Sequence, residues 1–358
     1  MEDKKYLYKR NNIWWVKVAV PKSQRDKFGY DLRQTTGKSD LNEARSVRNH
    51  IVESLKSKFS ETEKYVPLPS TKFMEKTNID NPQYFHKVVD CQYACPAHTN
   101  VPEYIRLIAQ KKYTDAYMLN WESNVFPGIL GRVCDRPCEP ACRRGRTHEK
   151  SVAICRLKRV TYDYKDDVEK YIPQSPKVKN GKRIALIGAG PASLTVARDL
   201  LPLGYECTIF EKDHKAGGLM RTNIPSFRLP ADVLDEEIYR IINMGAELKL
   251  NSYIEKLKPV IDEYDSVFIG TGAPKGKDLK LKGREISSEN IHIGIDWLTS
   301  IAFEHVKKIG KKVIVIGGGN TAMDCCRSAL RLGATNVKVT VRSPFSQMKA
   351  SEWEIEET

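Results

Sequence analysis

The sequence predicts a multidomain chain: a small α+β module at the N-terminus, an α-helical domain rich in cysteine, and then two doubly wound α/β units, the second incomplete. Three observations predict this order. Two glycine-rich turns, Gly188-Ala189-Gly190 and Gly317-Gly318-Gly319, each follow a short apolar run and open a helical pattern. Six of the 9 cysteines fall between Cys91 and Cys155. Prolines gather where periodicity stops, at residues 61–82 (Pro67, Pro69, Pro82) and 171–182 (Pro173, Pro176), so both stretches read as linkers.

The first module, residues 1–60, reads as short strands over 6–36 and a helix over 41–58 with Asp40 as its cap; the run from Ile13 to Val20 is stopped by Pro21. It holds 14 Lys/Arg against 7 Asp/Glu and so carries half of the chain's formal charge of +14. Such a bias raises contact with DNA for this module alone, against the plainer reading of a solvated basic face. No apolar run approaches the ~18 residues of a membrane span, and the first ten residues are charged, so the expected location is the cytoplasm.

Residues 83–170 turn helical, with Val101, Tyr104, Ile105, Ile108 and Ala109 at helix spacing and Pro102 suited to a first turn. The cysteines sit at the breaks. Cys91-x3-Cys95-Pro96 and Cys134-x3-Cys138-x3-Cys142 supply five thiolates, with Cys155 in reserve. A cluster takes four, and proline after a ligand accompanies many cluster loops, so the spacing favours one [4Fe-4S] over structural zinc or buried free thiols. The seven histidines show no ligand spacing.

The unit over 183–300 begins with a strand at 184–187, the turn Gly188-Ala189-Gly190-Pro191-Ala192-Ser193, a helix over 192–203 and a strand at 207–210. Glycines there let backbone approach a pyrophosphate, and the helix start faces its charge, the Rossmann-like arrangement. Glu211, 23 residues after Gly188, can accept from both ribose hydroxyls of an adenosine, which argues for FAD or NAD. Ser193 stands in place of the third glycine. The unit over 308–358 repeats the order around Gly317, Gly319, Asn320, Thr321 and Ala322. At its matching strand end stands Arg342, 25 residues after Gly317, with Lys349 beyond; a cation there accommodates a 2′-phosphate and favours NADPH, with NADH possible. Cys325 and Cys326 on the next helix read as core thiols.

From Cys91 onward the chain resembles the flavin and iron–sulfur electron-input module shared by the small subunit of bacterial glutamate synthase and the N-terminal half of dihydropyrimidine dehydrogenase. The resemblance rests on Cys91-Gln92-Tyr93-Ala94-Cys95-Pro96, Gly131-Arg132-Val133-Cys134, the turn at Gly188, Ile209-Phe210-Glu211-Lys212, Gly217-Gly218-Leu219, Ile224-Pro225-Ser226-Phe227-Arg228-Leu229-Pro230, and the turn at Gly317 running to Asp324. It implies FAD held by Gly188, Gly190, Pro191, Ala192, Ser193, Leu194, Glu211, Gly217, Gly218 and Leu219 with Arg228 nearby. It implies NADPH at Gly319, Asn320, Thr321, Ala322, Arg342 and Lys349. Hydride would pass from NADPH to FAD, and single electrons would leave through iron–sulfur to an electron-accepting partner subunit or domain, with no side chain acting as acid or base. Residues 1–60 are similar to the short leading domain of phage-type tyrosine recombinases, through Tyr6-Leu7-Tyr8-Lys9-Arg10, Trp14-Trp15, Val20-Pro21-Lys22 and Phe28-Gly29. The alternative reading is thus a DNA-contacting fusion that carries a reductase fragment without activity.

Overall fold

The computed structural model describes residues 6–20, 25, 30–60, 89–147, 150–279 and 282–358. The linker expected over 61–82 and the motif residues Pro21, Lys22, Phe28 and Gly29 lie outside the described residues. The chain forms two compact units, 1–84 and 85–358.

In the first unit β1 (Leu7–Arg10), β2 (Ile13–Ala19) and β3 (Asp31–Thr35) make an antiparallel sheet in the order β1-β2-β3. Asn11 and Asn12, both at positive φ (48° and 60°), form the two-residue turn between β1 and β2, a conformation asparagine tolerates better than most residues. Helix α1 (Leu41–Ser60) covers one face, burying Ala44, Ile51, Val52 and Leu55 with Trp14, Val16 and Val18. Asp40 caps it by accepting from the amides of Asn42 (2.8 Å) and Glu43 (3.1 Å), and these bonds lower its carboxyl pKa.

The second unit opens with six helices: α2 (Asp90–Ala94), α3 (Val101–Ala109), α4 (Tyr113–Ser123), α5 (Pro127–Val133), α6 (Arg144–Thr147) and α7 (Ile154–Asp163). Helix α5 lies directly on α7. A Cβ at Gly131 would stand 2.7 Å from the Arg159 backbone, so this glycine sets the distance between them.

There follows a parallel sheet in the order β6-β5-β4-β7, from β4 (Arg183–Ile187), β5 (Glu206–Phe210), β6 (Glu247–Lys249) and β7 (Ser266–Ile269). Between β4 and β5 runs α8 (Pro191–Leu200), and after β5 come α9 (Leu219–Thr222) and α10 (Ala231–Ile242). Helix α8 is shorter than the span 192–203 expected from sequence. Pro202 has no amide to donate, so residues Leu201–Leu203 close as a 3-10 turn, and Gly204 reverses the chain at φ 86°. Successive strands leave β4 toward β6 and then return beside it as β7, so the end of β4 is the switch point of the sheet, where such folds take ligands. Leu186, Leu194, Ile209, Ile238 and Ile241 make the core.

Helix α11 (Leu257–Glu263) precedes β7 and α12 (Gly294–Ala302) follows it. The last unit pairs β8 (Lys312–Ile316) in parallel with β9 (Asn336–Thr340) around α13 (Asn320–Arg331), and ends in α14 (Glu352–Glu356). Trp297 and Leu298 of α12 bury with Cys325 and Ala329 of α13.

Candidate functional site

The parallel register sets Ile187 opposite Phe210, so the residues just past them meet: Gly188 N donates to Phe210 O at 2.7 Å. Glu211 is 5% exposed and accepts from Ala189 N (2.8 Å) and Asp213 N (3.0 Å), which fixes its carboxylate at the mouth of the turn. Gly217 and Gly218, at φ 128° and 51°, fold over that turn; Gly217 N donates to Ala189 O (2.9 Å), and a Cβ on Gly218 would lie 2.9 Å from Gly190 Cα. No side chain caps α8, so the amides of its first turn face the turn as an anion site. The structure thus brings Gly188, Gly190, Pro191, Glu211, Gly217 and Gly218 together, with Leu219 opening α9 beside them.

Ser193 is fully buried, and its Oγ has no hydrogen-bond partner. Its room comes from Gly270 at the end of β7, where an added Cβ would sit 2.1 Å from that oxygen. Gly270→Ala is therefore expected to destabilise the unit by about 1–3 kcal/mol through overpacking, and adding Ser193→Gly is expected to recover most of the loss. Thermal melts of the two single variants and the double variant check this; additive losses would contradict it.

At the second turn Gly317 N donates to Thr340 O (2.9 Å), and Gly318 O accepts from Lys349 N (3.0 Å) and Ala350 N (2.8 Å). Asn320 Oδ1 accepts from Ser351 N at 2.8 Å. Residues 349–351 are so laid against the turn, with Thr321 and Ala322 in the first turn of α13. Arg342 follows β9 on the same edge and is exposed.

Arg228 is engaged by side chains of the last unit. Its guanidinium is ion-paired with Asp324 of α13 (2.6 Å) and Glu354 of α14 (2.5 Å), and 12% of the side chain is exposed. Two buried carboxylates of the last unit engage it, so it ties the two α/β units together and is not a free cation for the first site.

The thiols gather at the ends of α2, α5 and α7. Cys155 Sγ donates to Leu130 O (3.5 Å) and Gly131 O (3.4 Å), and Cys134 Sγ accepts from Arg136 N (3.4 Å); the neighbouring Cys155 side chain, Lys158 and that amide hold the Cys134 thiol below its ordinary value. Burial pushes Cys138 up to about 12 and raises Cys91. Cys138 is within electrostatic reach of Cys134 and Cys95, and Cys91 of Cys142. The buried Tyr104, whose hydroxyl donates to Ile154 O (3.1 Å), feels Cys138, Cys155, Cys91 and Cys95 together. Among the described residues no three Cys, His, Asp or Glu side chains close on a single point. A four-iron cage spreads its thiolates over separate irons and so suits a dispersed set of thiols better than one ion does.

Cys134 also opens on a cavity of about 590 Å³ lined by Asp135, Arg228, Asn320, Met348, Lys349, Ser351 and Trp353. Ser351 Oγ donates to Asp135 Oδ1 (2.7 Å), and the Arg136 guanidinium stacks over the Trp353 ring at 4.5 Å. The cysteine loop and the second glycine turn therefore share one cavity.

Residues 84–170 match the family model described as dihydropyrimidine dehydrogenase domain II, 4Fe-4S cluster, and residues 182–356 match that of the pyridine nucleotide-disulphide oxidoreductases. The chain thus carries these two domains one after the other. All six clustered thiols fall in the first of these regions, and both glycine turns fall in the second. Among similar proteins are the NADPH-Fe(3+) oxidoreductase subunit beta of Geobacter sulfurreducens (35% identical, 78% of this chain and 43% of that protein). The NADP(+)-dependent formate dehydrogenase subunit beta of Moorella thermoacetica is 35% identical over 74% of this chain and 41% of its own length. The glutamate synthase [NADPH] small chain of Azospirillum brasilense is 32% identical over 74% and 58%. The chain thus spans about half the length of these relatives, each named as one subunit or chain of an oxidoreductase. Among the described residues no helix is long and apolar enough to cross a membrane.

Sequence reasoning missed Lys158, Asp135 and Trp353. Only Lys158 left a trace there, as a lysine three residues after Cys155 on one helix face.

Proposed function

We propose that residues 85–358 form the electron-input part of an oxidoreductase, accepting hydride from NADPH and delivering single electrons through a [4Fe-4S] cluster to a partner subunit or domain. The observation that carries this reading is the shared cavity, lined by Cys134, by Asn320 of the second turn and by Lys349. FAD, when bound, would convert a two-electron hydride into single electrons. In this reading Gly188, Gly190, Gly218 and the first turn of α8 bind its pyrophosphate, with Pro191, Ala192, Ser193 and Leu194 carrying that turn. Glu211 orients its ribose, and Gly217 and Leu219 close the pocket. Four of Cys91, Cys95, Cys134, Cys138 and Cys142, with Cys155 in reserve, provide the cluster's ligands.

For the nicotinamide nucleotide, Gly317, Gly319, Asn320, Thr321 and Ala322 approach the phosphates, while Arg342 and Lys349 meet the 2′-phosphate. The partner is of the kind the large subunit of glutamate synthase represents. DNA contact by residues 1–60 stands as a separate reading, supported by their charge alone.

The test is reduction of a one-electron dye by anaerobically prepared protein, with NADPH and NADH compared. A higher kcat/KM for NADPH is expected. Arg342→Glu should lower it by roughly tenfold or more, the worth of one charge-assisted hydrogen bond, and leave NADH nearly unchanged. Equal losses for both nucleotides, or no dye reduction by wild type, would sink the assignment.

A further inference from the structure

Ser351 stands at the N-cap of α14, yet its side chain caps nothing there. A serine in that place ordinarily turns its oxygen to an amide of the helix's first turn. Here the hydroxyl points elsewhere: it accepts from Asn320 Nδ2 (3.2 Å) and donates to Asp135 Oδ1 (2.7 Å). Asn320 is the first residue of α13, and Asp135 directly follows Cys134. One hydroxyl therefore joins the second glycine turn to the cysteine loop, with Asp135 and Ser351 216 residues apart in the chain. Ser351 N also donates to Asn320 Oδ1 (2.8 Å), so a single residue holds both ends of the Asn320 amide. On either side of Ser351 the chain is fixed as well. Lys349 N and Ala350 N donate to Gly318 O, and the Arg136 guanidinium packs over the Trp353 ring at 4.5 Å. Residues 349–353 are thus gripped by the glycine turn on one side and by two consecutive residues of the cysteine loop on the other.

We propose that Asp135 is a positioning residue for the nicotinamide nucleotide: by accepting from Ser351 it fixes the direction of that hydroxyl, and through it the orientation of Asn320 at the opening of α13. The inference rests on the reading of the second glycine turn as the nucleotide site. A serine hydroxyl has one proton to give. With that proton committed to Asp135, a lone pair faces Asn320 Nδ2, and the amide oxygen of Asn320 stays on Ser351 N. Without Asp135 the hydroxyl is free to turn toward the first turn of α14 as an ordinary cap, and Asn320 keeps one of its two bonds. Groups held in place before the ligand arrives lose less freedom when it binds. Affinity for the nucleotide thereby depends on a carboxylate of the cysteine loop that need not touch the nucleotide itself.

The experiment is calorimetric titration of the anaerobically prepared full chain with NADP+. Asp135 is exposed, so its substitution leaves the core untouched. Asp135→Ala is expected to raise the Kd about fivefold, the worth of one hydrogen bond. Asp135→Asn keeps an acceptor oxygen in the same place and is expected to stay within about twofold of wild type. Ser351→Ala should weaken binding at least as much as Asp135→Ala, and the double variant no more than Ser351→Ala alone, because both substitutions break the same bond. In dye reduction the KM for NADPH should rise with the Kd while kcat holds. A wild-type Kd in Asp135→Ala, equal weakening by alanine and asparagine, additive losses in the double variant, or a fall in kcat at unchanged KM would overturn the inference. Wild-type protein that binds neither NADP+ nor NADPH would instead overturn the reading of the second turn as a nucleotide site.

Discussion

Cys134→Ser is expected to empty the cluster site and to cut one-electron dye reduction by NADPH by more than about 100-fold, beyond the loss usual for residues that merely support a metal ligand. Cys134 is the thiol whose surroundings favour the thiolate most: the neighbouring Cys155 side chain, the ammonium of Lys158 and the amide of Arg136 pull it below its ordinary value. A serine hydroxyl in the same place stays protonated and offers iron no comparable ligand. It also borders the cavity shared with Asn320 and Lys349, so its loss removes the clustered thiol that lines this cavity. Cys207→Ala is the control, a buried thiol of β5 raised to about 11 by burial and remote from the cysteine domain's loops. Iron content and dye reduction measured together decide the matter. A Cys134→Ser protein with full iron and full rate would remove Cys134 from the ligand set.

Glu237→Ala carries the largest expected cost in stability. Glu237 on α10 is buried and accepts from Gly128 N (2.9 Å), Ile129 N (3.0 Å) and Tyr117 Oη (2.9 Å), so it stitches α4 and the start of α5 to the nucleotide domain. Tyr117 in turn accepts from Arg240 at 2.7 Å. Alanine strands two backbone amides, a phenol and part of a buried guanidinium, a loss of about 3–5 kcal/mol by the usual cost of breaking a buried charged network. The melting temperature should fall on the order of 10 °C.

The same site has a pH signature. Burial raises the Glu237 carboxyl to about 7 against an ordinary 4.5, so between these values the folded chain binds a proton that the unfolded chain has released. Its contribution is thus greatest below about 4.5 and falls as pH rises through about 7. Glu237→Gln should flatten stability over that window while costing about 1–3 kcal/mol, because its amide nitrogen turns a donor toward a backbone amide. Denaturant midpoints from pH 5 to 8 test this, and an unchanged slope would contradict the role given to Glu237.

What was legible in the sequence is what neighbours in the chain decide. The turns at Gly188 and Gly317, the strands before them and the cap at Asp40 follow from local geometry, and the structure has each of these elements. Glu211 was legible because parallel strands in register bring the end of β5 beside the turn after β4. The partner of Arg228 was not, since Asp324 and Glu354 lie 96 and 126 residues away in the chain and no periodicity links them. The same holds for Glu237, whose contacts with Gly128 and Tyr117 span more than a hundred residues. Gly270 as the complement of Ser193 depended on which strand returns beside β4, a matter of sheet order.

The most direct test of the central claim is a single spectrum: anaerobically purified protein, frozen after one addition of NADPH and recorded by electron paramagnetic resonance. The account predicts the signal of a reduced [4Fe-4S] cluster appearing with NADPH and absent without it. An iron-loaded protein that stays silent after NADPH, yet gives the signal with dithionite, would contradict the claim that this chain carries electrons from the nucleotide to the cluster.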